Sequence, residues 1–188
     1  MPDSNRFEAL RQAPLWDFAL ASYQTPGCEA ACLTLQDDAS VDVCELLFHA
    51  WLWQHGLAAS SEPLALERDA RTRWQENVTV RLRTLRRELK PLAAQRDSVA
   101  TLRGLIAQAE LHAERENLQR WEEWARHSDR SRLVAAENIA KTLCECLKRQ
   151  LFQCSLGMPQ TTTPSVTDSS AEAFRTLAQL LDPYQRPR

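Results

Sequence analysis

The sequence predicts an all-α protein: a single irregular bundle of about six helices over residues 1–156, a flexible linker at 157–168, and a short amphipathic docking helix at 169–182. Three observations carry that expectation. Ala, Leu, Arg, Glu and Gln dominate the 188 residues, and all are strong helix formers. Only four glycines occur, and β-branched runs are almost absent. Apolar residues recur at helical spacing, as in Trp74, Val78, Leu82, Leu85 and Leu89, with steps of 4, 4, 3 and 4.

Taken in order, Ser4 is placed to cap a short helix through Arg11, and Pro14 suits the first position of the next. Leu15, Phe18 and Ala19 share a face there. Pro26 and Gly27 break that helix, and Cys28, Ala31, Cys32 and Leu35 mark a third. Residues 36–40, QDDAS, read as a polar connection. The stretch VDVCELLFHAWLW, residues 41–53, follows. It is apolar on nearly every side, which predicts a buried central helix. Asp42 can cap it, and Gly56 can end it.

The stretches LWDFALASY, PGCEAACLTLQD and DVCELLFHAWL resemble the opening signature of an uncharacterised bacterial family, a domain of unknown function. The likeness continues through WQENVTVRLRTLRRELK and LIAQAELHAERENL, so it covers roughly residues 14–125. That family usually has a glycine in the loop where this chain has Asp38-Ala39-Ser40, and an Asn where Cys44 stands. The resemblance implies a soluble helical protein and carries no activity with it.

Pro63 is expected early in a further helix, and Pro91 is expected to end the Trp74–Leu89 stripe. A long helix is expected from Asp97 or Ser98 to about His127. Leu133, Ala136, Ala140, Leu143, Leu147, Leu151 and Cys154 then form a near-heptad seam, expected to be one helix in antiparallel packing. Ser169 and Glu172 read as a capping box for the last helix, which carries Phe174, Leu177 and Leu181 on one face.

Composition limits the function classes. The net charge of −2 gives no global attraction to nucleic acid or anionic membrane. The N-terminus lacks the basic-then-apolar pattern of a secretory signal, which predicts a cytoplasmic protein with reduced thiols. No Gly-rich phosphate loop or G-x-S-x-G motif occurs. Glu110, Glu114, Glu116, Glu122 and Glu123 surround His112 and His127, but no Glu-x-x-His spacing is present, so no metal site is expected. Cys144 and Cys154 read as core fillers, and Cys146 as an outward thiol near Arg149.

The most legible candidate site is basic. Arg83, Arg86, Arg87 and Lys90 are spaced 3, 1 and 3 along one helix. From Glu67 to Lys90 there are eight basic residues against four acidic. Such a face can hold an acidic protein surface or another anionic partner; the plain alternative is pairing with the Glu-rich helix that follows. The basic surface is too narrow to favour nucleic acid. The first functional expectation is therefore a non-enzymatic cytoplasmic interaction or regulatory protein using this face, with no cofactor. The second is a helical bundle that binds a small molecule or a cofactor such as haem, or an enzyme, with a pocket beside His49, Trp51 and Trp53.

Overall fold

The computed structural model describes residues 4–127, 132–152 and 167–183. Its centre is α4 (Val43–Gln54), in which the eleven residues from Val43 to Trp53 are all buried. A helix without a polar stripe has no side to turn to water. Asp42 Oδ1 caps it by accepting from the backbone N–H groups of Cys44 (2.8 Å) and Glu45 (3.4 Å). The chain leaves through Gly56, whose φ of +67° is open to glycine without a Cβ clash.

Three helices precede it: α1 (Ser4–Gln12), α2 (Leu15–Gln24) and α3 (Cys28–Ala39). The Cys28, Ala31, Cys32 and Leu35 face of α3 is buried, as its spacing requires. This helix runs to Ala39, through most of the expected connection, and turns at Ser40 with a left-handed φ of 53°. The long α8 (Asp97–Arg126) crosses the other side of α4. There Phe48 stacks on Trp121 (centroids 4.7 Å, planes 18° apart) and meets Trp124 edge-on.

One expectation about local structure is corrected. The seam from Leu133 is not one helix. Leu133–Ala135 is a short strand, β2, paired antiparallel with β1 (Leu57–Ala59) in the register Leu57↔Ala135 and Ala59↔Leu133. A 3-10 turn (Ala136–Asn138) and α9 (Leu143–Phe152) follow. Leu133, Ala136, Ala140 and Leu143 are still buried, so the apolar spacing located the core while the ladder to β1 overrode helical preference. Cys154 and most of the expected 157–168 linker lie outside the described residues. The helix of the Trp74–Leu89 stripe ends at Glu88, just before Pro91, as expected. The helix α5 (Ser61–Trp74) continues through one π turn (Gln75–Thr79) into α6 (Val80–Glu88), and Pro91 lies in the first turn of α7 (Lys90–Ala93). A missing N–H costs nothing there.

The last helix, α10 (Asp168–Leu181), packs against α3 and α9 and buries Phe174, Leu177 and Leu181. Its cap is Thr167, whose Oγ1 accepts from the Ser170 N–H at 3.1 Å, so it starts ahead of the expected Ser169. The described cysteines are free. Cys146 faces inward on the stripe it shares with Leu143 and Leu147, at 1% exposure, which corrects the expectation of an outward thiol. Burial pushes its thiol up to about 12.

Trp51 is fully enclosed, and its Nε1 donates to the Ala13 carbonyl at 3.1 Å. Trp51→Ala is expected to cost about 3–5 kcal/mol by denaturant unfolding, because α4 cannot collapse onto the space left. A loss under about 1 kcal/mol would contradict the central position of this helix.

Candidate functional site

The basic face is built on a helical hairpin. α6 and α7 fold back on the N-terminal half of α8, and neither α6 nor α7 has a buried residue. Helical spacing puts the four cations on one side of the α6–α7 segment, but the structure divides them into two pairs. Arg83 donates through Nε to Glu110 Oε1 (2.8 Å), through Nη1 to Gln36 Oε1 (2.8 Å) and through Nη2 to Glu114 Oε1 (2.6 Å). Arg86 joins it on Glu110 Oε2. Arg87 and Lys90 are exposed. The 3.7 Å approach of Arg87 to Asp37 joins two side chains that are each more than half exposed, an arrangement that contributes little.

The electrostatics follow from that division. Burial pulls the Glu110 carboxyl upward, but the hydrogen bonds from Arg86 and Arg83 outweigh it, and the net shift is downward. Glu114 is raised above its ordinary value: burial leads, the Glu110 charge adds to it, and the opposing charges of Arg83 and Arg86 do not offset them. Arg83 and Arg86 are both held more firmly protonated than a free guanidinium.

The second expected site, around His49, Trp51 and Trp53, lies within α4. All three rings are buried. Trp53 Nε1 donates to Asp182 Oδ1 (3.3 Å), beyond the end of α10. His49 Nε2 lies 3.3 Å from Glu45 Oε1. Burial depresses the imidazole more than Glu45 raises it, so His49 is held neutral, and with its proton on Nε2 it donates to that carboxylate. Its Nδ1 has no partner among the described residues. Beside Glu45, and not beside His49, a cleft of about 870 Å³ opens between the ends of α3 and α9 and the α5–α6 segment; Asp42, Glu45, Arg68, Thr72 and Gln75 are among its lining residues.

Glu45 and Arg68 were not singled out from the sequence. Arg68 Nε donates to Glu45 Oε1 (2.8 Å), and its Nη2 also reaches Glu45 and the Gln150 carbonyl (2.6 Å). Burial would raise Glu45, but His49 and Arg68 together hold its carboxyl below the ordinary range. The signal was present: past the capping Asp42, Glu45 is the one carboxylate in the helix, and a buried charge requires a partner. Asp42, at the mouth of the cleft, behaves oppositely. Burial, and then the Glu45 charge, push its carboxyl up to about 6.

Comparison with known families places this region. A family described as a protein of unknown function (DUF2390) matches residues 14–121, more than half of the chain. The chain belongs to the DUF2390 family. No curated protein and no solved structure matches it. The DUF2390 region runs from α2 through most of α8, so it holds α4, Glu45, Arg68, the α6–α7 cations and both glutamates that face them. The strand β2 and the helices α9 and α10 lie outside it. Among the described residues no helix is long and apolar enough to cross a membrane, and no group of His, Cys, Asp and Glu is arranged to hold a metal.

Two measurements test this electrostatic reading. Arg68→Met strands Glu45 in the core and is expected to cost about 3–5 kcal/mol, most of it recovered in the Glu45→Met/Arg68→Met pair; an unrecovered double variant contradicts the pairing. For Asp42, a folded pKa above the unfolded one makes its contribution most favourable in acid and loses it as pH rises through about 6. Asp42→Asn keeps a capping oxygen. It is therefore expected to gain on the order of 1–2 kcal/mol relative to wild type near neutral pH, with the gain shrinking toward about pH 4. Urea unfolding across pH reads this directly, and a constant difference between the two proteins contradicts it.

Proposed function

We propose that the chain is a non-enzymatic interaction protein whose α6–α8 hairpin receives an acidic, amphipathic segment of a partner protein. The observation that carries this reading is the hairpin's unpartnered surface. α6 and α7 bury no residue, and Leu85, Leu92, Leu102 and Leu105 are exposed at 43–58% along this hairpin. Leu102 and Leu105, three apart on α8, are neighbours on its surface. Exposed apolar side chains that form a contiguous patch mark interaction surfaces. Arg81, Arg87, Lys90 and Arg96 are exposed on the same hairpin, against exposed Glu88 and Asp97. These exposed charges leave a positive excess, while Arg83 and Arg86 are neutralised internally by Glu110 and Glu114.

A partner matching this surface carries carboxylates around an apolar stripe. The cations steer it and set its register, and the leucines supply the buried area. The same reading places the protein in the cytoplasm, where free thiols persist. His49 is enclosed behind Glu45, so the hairpin is the more accessible of the two sites.

Two variants test the reading. Arg87→Glu/Lys90→Glu and Leu102→Ser/Leu105→Ser are both expected to fold, since exposed substitutions usually cost within about 0.5 kcal/mol. Each is expected to lose the same acidic protein that wild type retains in a quantitative pull-down, and wild-type capture is expected to weaken with salt. Retention of the same proteins by both variants overturns the proposal. Arg83→Glu/Arg86→Glu serves as a contrast: it is expected to destabilise the fold, because it places carboxylates against Glu110 and Glu114.

A further inference from the structure

Charge is segregated along this chain. Residues 12–67 carry no Lys or Arg against eight Asp and Glu, whereas residues 68–103 carry ten Lys and Arg against four Asp and Glu. Folding turns that division of the sequence into one of surfaces. On α2 and α3 every exposed charge is acidic, namely Asp17, Glu29, Asp37 and Asp38. The hairpin beside them exposes Arg81, Arg87, Lys90 and Arg96.

α3 has two sides of different kinds. The inner one, with Cys28, Ala31, Cys32 and Leu35, is buried in the core. On the outer one Glu29, Leu33 and Asp37 follow at steps of four, which aligns them along the helix surface, and all three are exposed. Leu33 is one of the large apolar side chains left open to solvent, and a carboxylate stands one turn away on either side of it. α3 thus presents an apolar residue framed by carboxylates, on a helix with no cation of its own. That is the complement of the hairpin, whose exposed leucines stand among cations.

We propose that the segment received by the hairpin is α3 of a second copy of this chain, in a closed two-fold pair. The inference rests on the hairpin reading above and names its partner. Within one copy the two faces adjoin. Arg83 donates to Gln36 near the end of α3 at 2.8 Å, and Arg87 approaches Asp37 at 3.7 Å. Faces that lie side by side exchange about a two-fold axis along their seam, so each copy both gives an α3 and receives one, and the assembly closes. Opposite charge sets the register and disfavours hairpin on hairpin or α3 on α3. The net charge of −2 adds no general repulsion between copies.

The test is light scattering of the full chain after size exclusion. Wild type is expected to reach twice the 21.5 kDa of one chain as its concentration rises to ~1 mM. Glu29→Lys/Asp37→Lys on α3 and Arg87→Glu/Lys90→Glu on the hairpin change exposed residues, so both are expected to fold, which circular dichroism checks. Each variant alone places like charges at both contacts of the pair and is expected to weaken self-association about tenfold or more. Mixed one to one, the two variants restore opposite charges at both contacts, and the mass of two chains is expected to return. An unrelated acidic partner cannot produce that recovery. Should either variant fail to fold, carbodiimide treatment of an equal mixture of isotopically labelled and unlabelled wild type decides the matter: an amide between Lys90 of one copy and Glu29 or Asp37 of the other is expected, and its absence overturns the pairing. A wild-type mass of one chain throughout overturns the self-pairing and leaves the hairpin reading to its own pull-down. Association lost in the hairpin variant alone overturns the role of α3 and keeps the hairpin; association lost in the α3 variant alone overturns both. Association unchanged in both variants, or no recovery on mixing, overturns the two-fold exchange.

Discussion

Eleven consecutive buried residues in α4 set the terms for every element around it. Six of them, Leu46, Leu47, Phe48, Trp51, Leu52 and Trp53, are large apolar side chains. Each contributes about 1.5–3 kcal/mol when removed from water, so the helix as a whole supplies a large share of what opposes chain entropy. That gain exists only if the helix is covered on all sides. α2, α3, α8, α9 and β1 therefore meet around it, and α8 has to be long enough to bring Trp121 and Trp124 against Phe48. The same enclosure traps Glu45. A made ion pair in such a place is close to neutral in stability, whereas a broken one is strongly unfavourable. Arg68 thus prevents a loss more than it adds a gain. By also bonding the Gln150 carbonyl it fixes α5 and α9 relative to α4.

Much of this was legible in the sequence, and the failures have definite causes. The largely apolar run at 41–53, with Asp42 near its start and Gly56 after it, predicted the position, the cap and the stop of α4. Its character is unambiguous because no polar stripe competes. The strand Leu133–Ala135 was not legible. Three residues carry no usable period, and the partner strand lies more than seventy positions earlier, so only the folded chain brings Leu57 and Ala135 together. The π turn at Gln75 was hidden for a related reason. One extra residue in a helical turn shifts the phase by about a quarter turn, and the Trp74–Leu89 stripe absorbs that shift without a visible break. Leu85 accordingly emerges exposed.

The cations on α6 and α7 show how far spacing alone reaches. Steps of 3, 1 and 3 confine four side chains to one sector of a helix, yet that sector spans both the seam with α8 and the outer surface. Arg83 and Arg86 fall within reach of Glu110 and Glu114, while Arg87, one residue on and about 100° around, points away from them. Alternation of Arg and Glu between neighbouring helices gave a hint of the pairing. Which arginine meets which glutamate depends on the axial offset between α6 and α8, and a single helix's spacing contains no term for that offset.

That offset also explains why one hairpin has a firm base and a bare outer end. At the base, Arg83 ties α6 to Gln36 on α3 and to two carboxylates on α8, so three elements share one guanidinium. Toward the outer end, α7 contributes no buried residue, and Arg87 and Lys90 are open to solvent. Stability in a fold is not uniform: contacts are dense at this base and sparse toward the outer end. The core beneath α4 does not depend on the outer end of the hairpin. Changes to its exposed leucines and cations therefore leave the core in place, whereas changes at Arg83 act on the fold.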